Sequence, residues 1–171
     1  MSFSLDVLCL GKTDKIVIPK YKNFIVMDES DDYYKRYEVI YNFMTMQEGQ
    51  WFSISKEPFS ATDAYGLCDI GSHDKGCVQY PTWIDDEDTL YDIFPLVIHD
   101  DVINDFEHFL RYMLHQSPLH KIMFLARLQG TYEEIVCGTI QFDKFLSMLK
   151  NNIIRFNICY IISKESTRQV T

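Results

Sequence analysis

The spacing of apolar residues in the C-terminal half of the chain limits the possible folds more than any other feature. From Asp100 to His115 they recur every three or four residues, which predicts an amphipathic helix. Lys121–Leu128 is an almost continuous apolar run suited to a central strand, and Glu134–Ile140 predicts a second strand after a short turn, as in a hairpin. Helical spacing returns in Phe142–Lys150, and alternation in Ile154–Ile162 predicts a last strand.

The N-terminal part continues this mixture of elements. Ser2–Leu10, Asn23–Met27 and Gln50–Ser55 predict short strands, and helical spacing predicts a helix over Tyr33–Met44. Lys56–Pro81 contains three glycines and two prolines, which predicts an extended loop or a mixture of short turns and strands. We therefore expect one α+β domain over residues 1–171, with a mostly antiparallel or mixed sheet and a few packed helices.

Negative charge is concentrated between Thr82 and Leu110. This window holds nine carboxylates and neither lysine nor arginine, in a chain whose net charge is −9. Large aromatic side chains are interspersed among the acids, and such side chains anchor protein interfaces. A surface of this kind attracts a basic protein partner and repels nucleic acid, because phosphate binding requires Lys and Arg.

The acids of this window differ in how well local structure explains them. Asp100, Asp101, Asp105 and Glu107 fall at the start of a predicted helix, where negative charge and side-chain caps are favourable. The acids and aromatics of Trp83–Asp92, here called the acidic segment, have no such explanation. The candidate partner-binding residues are Trp83, Asp85, Asp86, Glu87, Asp88, Tyr91 and Asp92.

A second acidic cluster precedes the predicted Tyr33–Met44 helix. It consists of Asp28, Glu29, Asp31 and Asp32. Capping of that helix explains these acids as well as a role in binding does.

The sequence contains no strong catalytic or metal-binding motif. Asp85–Asp88 lack the alternating ligand positions and the central glycine of a calcium-binding EF-hand loop. Cys68, His73 and Cys77 form a local group that lacks a fourth zinc ligand. HExxH, GxSxG and glycine-rich phosphate-binding patterns are absent from the sequence. We expect no metal, no other cofactor and no enzymatic activity.

The cysteines and the hydropathy indicate a compartment. The five cysteines are an odd number and widely spaced, and Met1–Leu10 shows no secretory signal pattern, so we expect a reduced cytoplasmic protein. Every apolar run is interrupted before the roughly 18 residues that a membrane-spanning helix needs, so we expect no membrane anchor.

The C-terminal half resembles bacterial immunity proteins, the inhibitors encoded beside the toxins of contact-dependent growth inhibition and related polymorphic toxin systems. The resemblance runs from Phe94–Ile98, through the Asp100–His115 helix, to the Arg155–Ile162 strand. It implies an acidic single domain that covers the active site or substrate-binding surface of one cognate toxin, commonly a basic nuclease. Charge complementarity would then accelerate encounter with the toxin.

Two other functions remain compatible with the sequence. One is a small hydrolase that uses carboxylate and histidine side chains, for which His73 and Asp85 are the candidates. The other is an adaptor domain that binds a different basic protein. The sequence leaves the oligomeric state open.

Overall fold

The computed structural model describes residues 3–12, 14–28, 47–56, 64, 66–71, 94–128 and 135–164. Within them lie eight strands and two helices, and the fold is α+β with a mixed sheet, as the sequence predicts. The elements in chain order are β1 (Phe3–Leu10), β2 (Ile25–Asp28), β3 (Gly49–Ser55), β4 (Cys68–Ile70), β5 (Leu96–Ile98), α1 (Ile103–Gln116), β6 (Lys121–Leu128), β7 (Ile135–Gln141), α2 (Phe142–Lys150) and β8 (Ile158–Ser163).

Six strands form the main sheet, in the order β2, β3, β1, β6, β8 and β7. Every neighbouring pair is antiparallel except β7 and β8, which are parallel. Strand β1 is central and is bonded along most of its length to β3 on one side and to β6 on the other. The two remaining strands, β4 and β5, pair with each other in a separate small sheet.

The predicted hairpin between β6 and β7 is wrong, because β8 lies between these two strands. Both edges of β6 are occupied, by β1 and by β8. Helix α2 follows β7 directly and carries the chain back to begin β8 parallel to it. Parallel neighbours require a crossover connection, and α2 is that connection.

The helices pack their apolar faces on one side of the main sheet. The buried residues of α1 include Phe106 and Phe109, and those of α2 include Phe145. Phe124 of β6 lies between the helices, with its ring centroid 5.7 Å from that of Phe106 and 5.6 Å from that of Phe145. Edge-to-face contacts of this kind add to the stability gained by burying the rings.

The other side of the main sheet is also buried, but it is partly polar. Apolar residues from four strands meet there, among them Leu8, Trp51, Met123 and Cys159. The buried polar residues on this side are Ser4, Asp6, Ser53, Ser55 and Arg127. Because β-strand side chains alternate between faces, Ser4 and Asp6 share a face with Leu8. The residues of β1 that face the helices, Leu5, Val7 and Cys9, are on the other side of the sheet.

The last strand begins at Ile158, four residues later than the predicted Ile154. Asn157 has a φ of 61°, a left-handed conformation that Asn tolerates better than most residues and that ends a regular strand. Its side-chain oxygen accepts a hydrogen bond from the Leu128 N–H at 3.1 Å, and its own N–H donates to the Ala126 carbonyl at 2.7 Å. Asn157 thus joins the end of β6 to the start of β8.

Two further predictions concern the N-terminal part of the chain. The predicted helix over Tyr33–Met44 lies outside the described residues. Of the Lys56–Pro81 stretch, Cys68–Ile70 is a strand, β4, and this agrees with the mixture of turns and strands better than with a continuous loop.

Candidate partner-binding surface

The seven candidate partner-binding residues lie outside the described residues, within 72–93, and so does the His73 of the hydrolase hypothesis. The structure does place the chain on both sides of this stretch. The Gly71 N–H donates to the Pro95 carbonyl at 2.8 Å, so the described residues on the two sides of 72–93 lie next to each other. Next to this bond, β4 and β5 pair from Ile70 and Leu96 to Cys68 and Ile98.

Gly71 is required by this close approach. A Cβ atom at position 71 would lie 2.8 Å from the Cβ of Pro95 and 3.1 Å from a methyl carbon of Val97. Carbon atoms at van der Waals contact are about 3.5–4.0 Å apart, so any side chain here would push the two chain ends away from each other. The sequence shows this glycine but gives no sign of its partner, 24 positions later in the chain.

The small sheet is fixed to the rest of the fold through the stretch before β8. The Leu96 N–H donates to the Ile154 carbonyl, and the Phe156 N–H donates to the Phe94 carbonyl. Pro95 and Arg155 lie between these two bonds and form an isolated β-bridge. Leu96 is also fully buried in the main core. The stretch 94–96 therefore has a fixed position relative to the main sheet.

His99 joins the turn before β4 to the end of β5. Its Nδ1 lies 3.1 Å from the Gly66 carbonyl oxygen, and its Nε2 lies 2.8 Å from Oδ2 of Asp69. The His99 N–H also donates to the Leu67 carbonyl. Both ring nitrogens lie within hydrogen-bond distance of these oxygen atoms, so His99 holds the turn before β4 in place.

Three exposed carboxylates surround this junction: Asp69, Asp100 and Asp101. They are here called the acidic rim. The Asp69 side chain is 72% exposed even though it contacts His99. The prediction that Asp100 and Asp101 cap the following helix is wrong. Helix α1 has Val102 at its N-cap and no side-chain cap, and the His99 carbonyl accepts the first bonds instead.

Asp105 has a structural role. One of its oxygens accepts hydrogen bonds from the backbone N–H groups of Lys22 and Asn23 and from the Asn23 side chain, at 3.1 to 3.2 Å. These bonds attach the segment before β2 to α1. The sequence predicts a structural role for this acid through the start of its own helix, whereas its observed partners lie on another segment of the chain.

Glu107 also has a structural role. It pairs with Lys150 at 2.8 Å and with Arg111 at 3.1 Å, and so connects α1 to the end of α2. The hydrogen bond from Lys150, assisted by Arg111, lowers the pKa of the Glu107 carboxyl. The Arg111 guanidinium in turn lies over the Phe142 ring, 4.7 Å from its centre. The four acids near the helix start therefore divide into two exposed and two structural residues.

The buried polar cluster on the second face of the main sheet was not among the residues predicted from the sequence. The Ser4 hydroxyl donates to Asp6 at 2.9 Å, and Arg127, which is opposite Ser4 in the register, is also buried. In the sequence, Ser4, Asp6 and Arg127 alternate with apolar residues, and this alternation was the one signal that they share a face of the sheet. Because Asp6 is fully shielded from solvent in this structure, a dissolved substrate does not reach it.

Two of the described cysteines, Cys9 and Cys68, are buried away from solvent. Burial raises the pKa of the Cys9 thiol to about 11, so Cys9 is not a thiolate at neutral pH. Cys68, from the predicted Cys/His group, is buried in β4. Within the described ranges no three His, Cys, Asp or Glu side chains are grouped so that they could hold a metal ion. Neither α1 nor α2, the helices of these ranges, is long and apolar enough to cross a membrane.

Comparisons of the chain with protein-family models, with curated proteins and with solved structures gave no match.

Proposed function

We propose that this chain is a cytoplasmic immunity protein that binds a cognate bacterial toxin and neutralises it. The toxin would be a basic nuclease whose active site or substrate-binding surface the chain covers. One observation carries most weight: the Gly71–Pro95 bond and the β4–β5 pair bring the two ends of residues 72–93 together on a fixed base. Binding residues commonly lie on loops that a rigid scaffold positions.

Charge supports the same assignment. The acidic rim adds exposed carboxylates to the small sheet: Asp69 lies in the middle of β4, and Asp100 and Asp101 follow β5 at the end of the pair away from the Gly71–Pro95 bond. A basic nuclease presents cationic groups where it binds phosphate. Complementary charge of this kind raises association rates and discriminates against partners of the wrong charge.

The first test is co-purification of the full chain with the C-terminal domain of the toxin encoded by the gene directly upstream. We expect a stoichiometric complex at moderate salt and loss of the toxin's activity within it. Failure to form a complex would contradict the proposal. Recovery of a housekeeping protein in place of the toxin would instead identify an adaptor domain.

A matched pair of charge reversals tests whether the acidic rim takes part in toxin binding. Asp101→Lys changes the rim, whereas Glu48→Lys changes an exposed acid beside Gly11. Glu48 is bonded to Gly11, which follows Leu10 at the end of β1. The Leu10 carbonyl accepts a hydrogen bond from Ser117 at the C-terminal end of α1. Glu48 therefore lies near the C-terminal end of this helix, whereas Asp101 lies just before its start.

Both substitutions change the net charge by the same amount, so they separate a local from a global effect. We expect Asp101→Lys to slow association about tenfold and Glu48→Lys to slow it about twofold or less. Stopped-flow kinetics at low salt would measure both. Equal effects of the two substitutions would show that the rim has no special role.

A further inference from the structure

The His99 ring lies between two oxygen atoms. Its Nδ1 is 3.1 Å from the Gly66 carbonyl oxygen, and its Nε2 is 2.8 Å from a carboxylate oxygen of Asp69. A carbonyl oxygen accepts hydrogen bonds and cannot donate one, and the same is true of an ionised carboxylate. Both contacts are hydrogen bonds only if each ring nitrogen donates a proton. A ring that donates from both nitrogens is the cationic imidazolium form.

A neutral His99 ring keeps one of these two bonds and loses the other. The neutral ring carries a proton on one nitrogen and a lone pair on the other. With the proton on Nδ1, the Nε2 lone pair faces the Asp69 carboxylate. With the proton on Nε2, the Nδ1 lone pair faces the Gly66 carbonyl. Two lone pairs repel each other at such short distances, so one of the two contacts opens when the ring is neutral.

The two contacts connect parts of the fold that are distant along the chain. Gly66 belongs to the turn before β4, Asp69 is in β4, and His99 follows β5. Asp69 is opposite Val97 in the register, so His99, two residues later, lies diagonally across from Asp69 on the same face of the small sheet. The His99 carbonyl also accepts the first N–H bonds of α1. The ring thus joins the turn and β4 to the segment that leads into α1.

The backbone around His99 is held independently of the ring. The His99 N–H donates to the Leu67 carbonyl, and the Leu67 N–H donates to the Ala64 carbonyl, both at 3.0 Å. Leu67 and Ala64 are fully buried. Loss of one ring contact would therefore loosen the turn locally and leave the β4–β5 pair in place.

The titratable groups around this ring come from β4 and from the segment that leads into α1. Asp69 contacts the ring, and Asp100 and Asp101 follow it in the chain and are exposed. Cys68 precedes Asp69, and its thiol is buried. The described residues of the turn, 64, 66 and 67, carry no titratable side chain. Among these residue types, histidine is the one whose charge ordinarily changes between about pH 5 and 8.

We propose that His99 is a pH-dependent clamp on the turn before β4. With a proton on both ring nitrogens, the ring holds Gly66 and Asp69 in place. As pH rises the ring releases one proton to solvent, which reaches it because the side chain is 30% exposed. One contact then opens, and the turn loosens. The clamp operates in the isolated chain, whether or not a toxin is bound.

Asp69→Asn is a matched variant in which the clamp should no longer respond to pH. An Asn side chain both accepts and donates hydrogen bonds. Its oxygen accepts from a protonated Nε2, and its amide group donates to Nε2 once that nitrogen has lost its proton. Nδ1 keeps its proton for the Gly66 carbonyl in both forms. The variant therefore retains both ring contacts on either side of the His99 titration.

Asp69→Ala reaches the same result by a different route. With the carboxylate removed, Nε2 faces solvent in either protonation state, and the bond from Nδ1 to Gly66 persists. Because the Asp69 side chain is 72% exposed, neither substitution disturbs the core. Thermal unfolding of both variants would verify that they fold.

NMR of the isotope-labelled full chain measures the ring and the turn in one sample. Long-range proton–nitrogen spectra report the protonation of His99, and hydrogen exchange of the Leu67 amide, corrected for the intrinsic effect of pH, reports the turn. Between about pH 5 and 8 we expect protection of the Leu67 amide to fall about threefold or more as His99 loses a proton. The His108 ring, exposed on α1, is the reference for a titration away from the turn.

The two variants decide whether the ring controls the turn. We expect Leu67 protection to be independent of pH in Asp69→Asn and in Asp69→Ala. The same fall in protection in the wild type and in both folded variants would contradict the clamp. Constant protection in the wild type through the titration of His99 would also overturn it, as would a fall that follows the titration of His108 and not that of His99.

Discussion

The two sheets of this protein are held together in different ways. The six-stranded sheet has long ladders, and β1 alone is paired over six positions with β3 and seven with β6. Both of its faces are buried. The small sheet has three pairs between β4 and β5, and a few backbone bonds, His99 and the buried side chains of Cys68, Leu96 and Ile98 keep it in position.

The larger sheet therefore provides most of the stability of the fold, whereas the small sheet determines where the residues on either side of 72–93 lie. Burial of large apolar side chains is the main source of folding free energy, and most of it lies in the larger sheet and its helices. The small sheet holds the ends of residues 72–93. Substitutions in the first region should mainly change the free energy of unfolding, and those in the second should mainly change toxin binding.

The largest effect is expected for Phe124→Ala in the larger sheet. Phe124 is fully buried between the two helices, so its truncation should lower the free energy of unfolding by about 3–5 kcal/mol. Urea denaturation measures this loss. Val17→Ala is the control, since Val17 is 79% exposed and should change stability by less than about 0.5 kcal/mol. A loss below about 1 kcal/mol for Phe124→Ala would contradict the role of this face.

A smaller loss is expected at the connection into β8. Asn157→Ala removes the acceptor for the Leu128 N–H and places a Cβ-bearing residue in a left-handed conformation, at a combined cost of about 2 kcal/mol. Asn157→Gly also removes the acceptor but tolerates the conformation, so it should cost less. Identical unfolding midpoints for the two variants would show that the backbone conformation contributes nothing.

A substitution in the small sheet should change toxin affinity more than it changes the free energy of unfolding. Gly71→Ala places a methyl group against Pro95 and should reduce stability by about 1 kcal/mol. The same change moves the ends of residues 72–93 apart, so toxin affinity should fall about tenfold, as measured by calorimetry. Gly138→Ala, where a Cβ meets no atom within 4 Å, is the stability control. Unchanged toxin affinity in Gly71→Ala would contradict the assignment of toxin binding to the small sheet.

The smallest expected effect concerns the contact between the helices. Because the folded-state pKa of Glu107 is lowered, its ion pairs add stability that is present above the unfolded-state pKa and is lost as pH falls through the folded-state pKa. Glu107→Gln should cost about 0.5–1 kcal/mol at neutral pH and almost nothing near pH 2. Urea unfolding at both pH values measures this difference. A loss that is independent of pH would exclude the ion pairs as its cause.

Local periodicity predicted most of the larger sheet and both helices. Strand β6 and helix α2 have the predicted bounds, because Lys121–Leu128 and Phe142–Lys150 each bury the residues that their spacing selects. The order of the strands was not predictable in the same way. A turn after Leu128 suggests a hairpin, but the parallel pairing of β7 with β8 depends on the α2 connection and on the occupied edges of β6.

The base of the proposed site depends on contacts between distant residues. Gly71 and Pro95 meet across 24 positions, and His99 reaches Asp69 across 30. Spacing along the chain carries no signal for such contacts. The roles of Asp105 and Glu107 were predictable in kind, since acids near a helix start have structural uses, but Asn23 and Lys150 were not foreseeable as their partners.

We propose that the toxin binds at the acidic segment, whose neighbouring residues the β4–β5 pair holds in place. The most direct test of this proposal is the association rate of the triple variant Asp85→Lys, Asp86→Lys, Asp88→Lys with the C-terminal domain of the upstream-encoded toxin. We predict that association slows about tenfold or more and loses most of its salt dependence, while the unfolding midpoint is nearly unchanged. An unchanged association rate in a folded triple variant would contradict the claim.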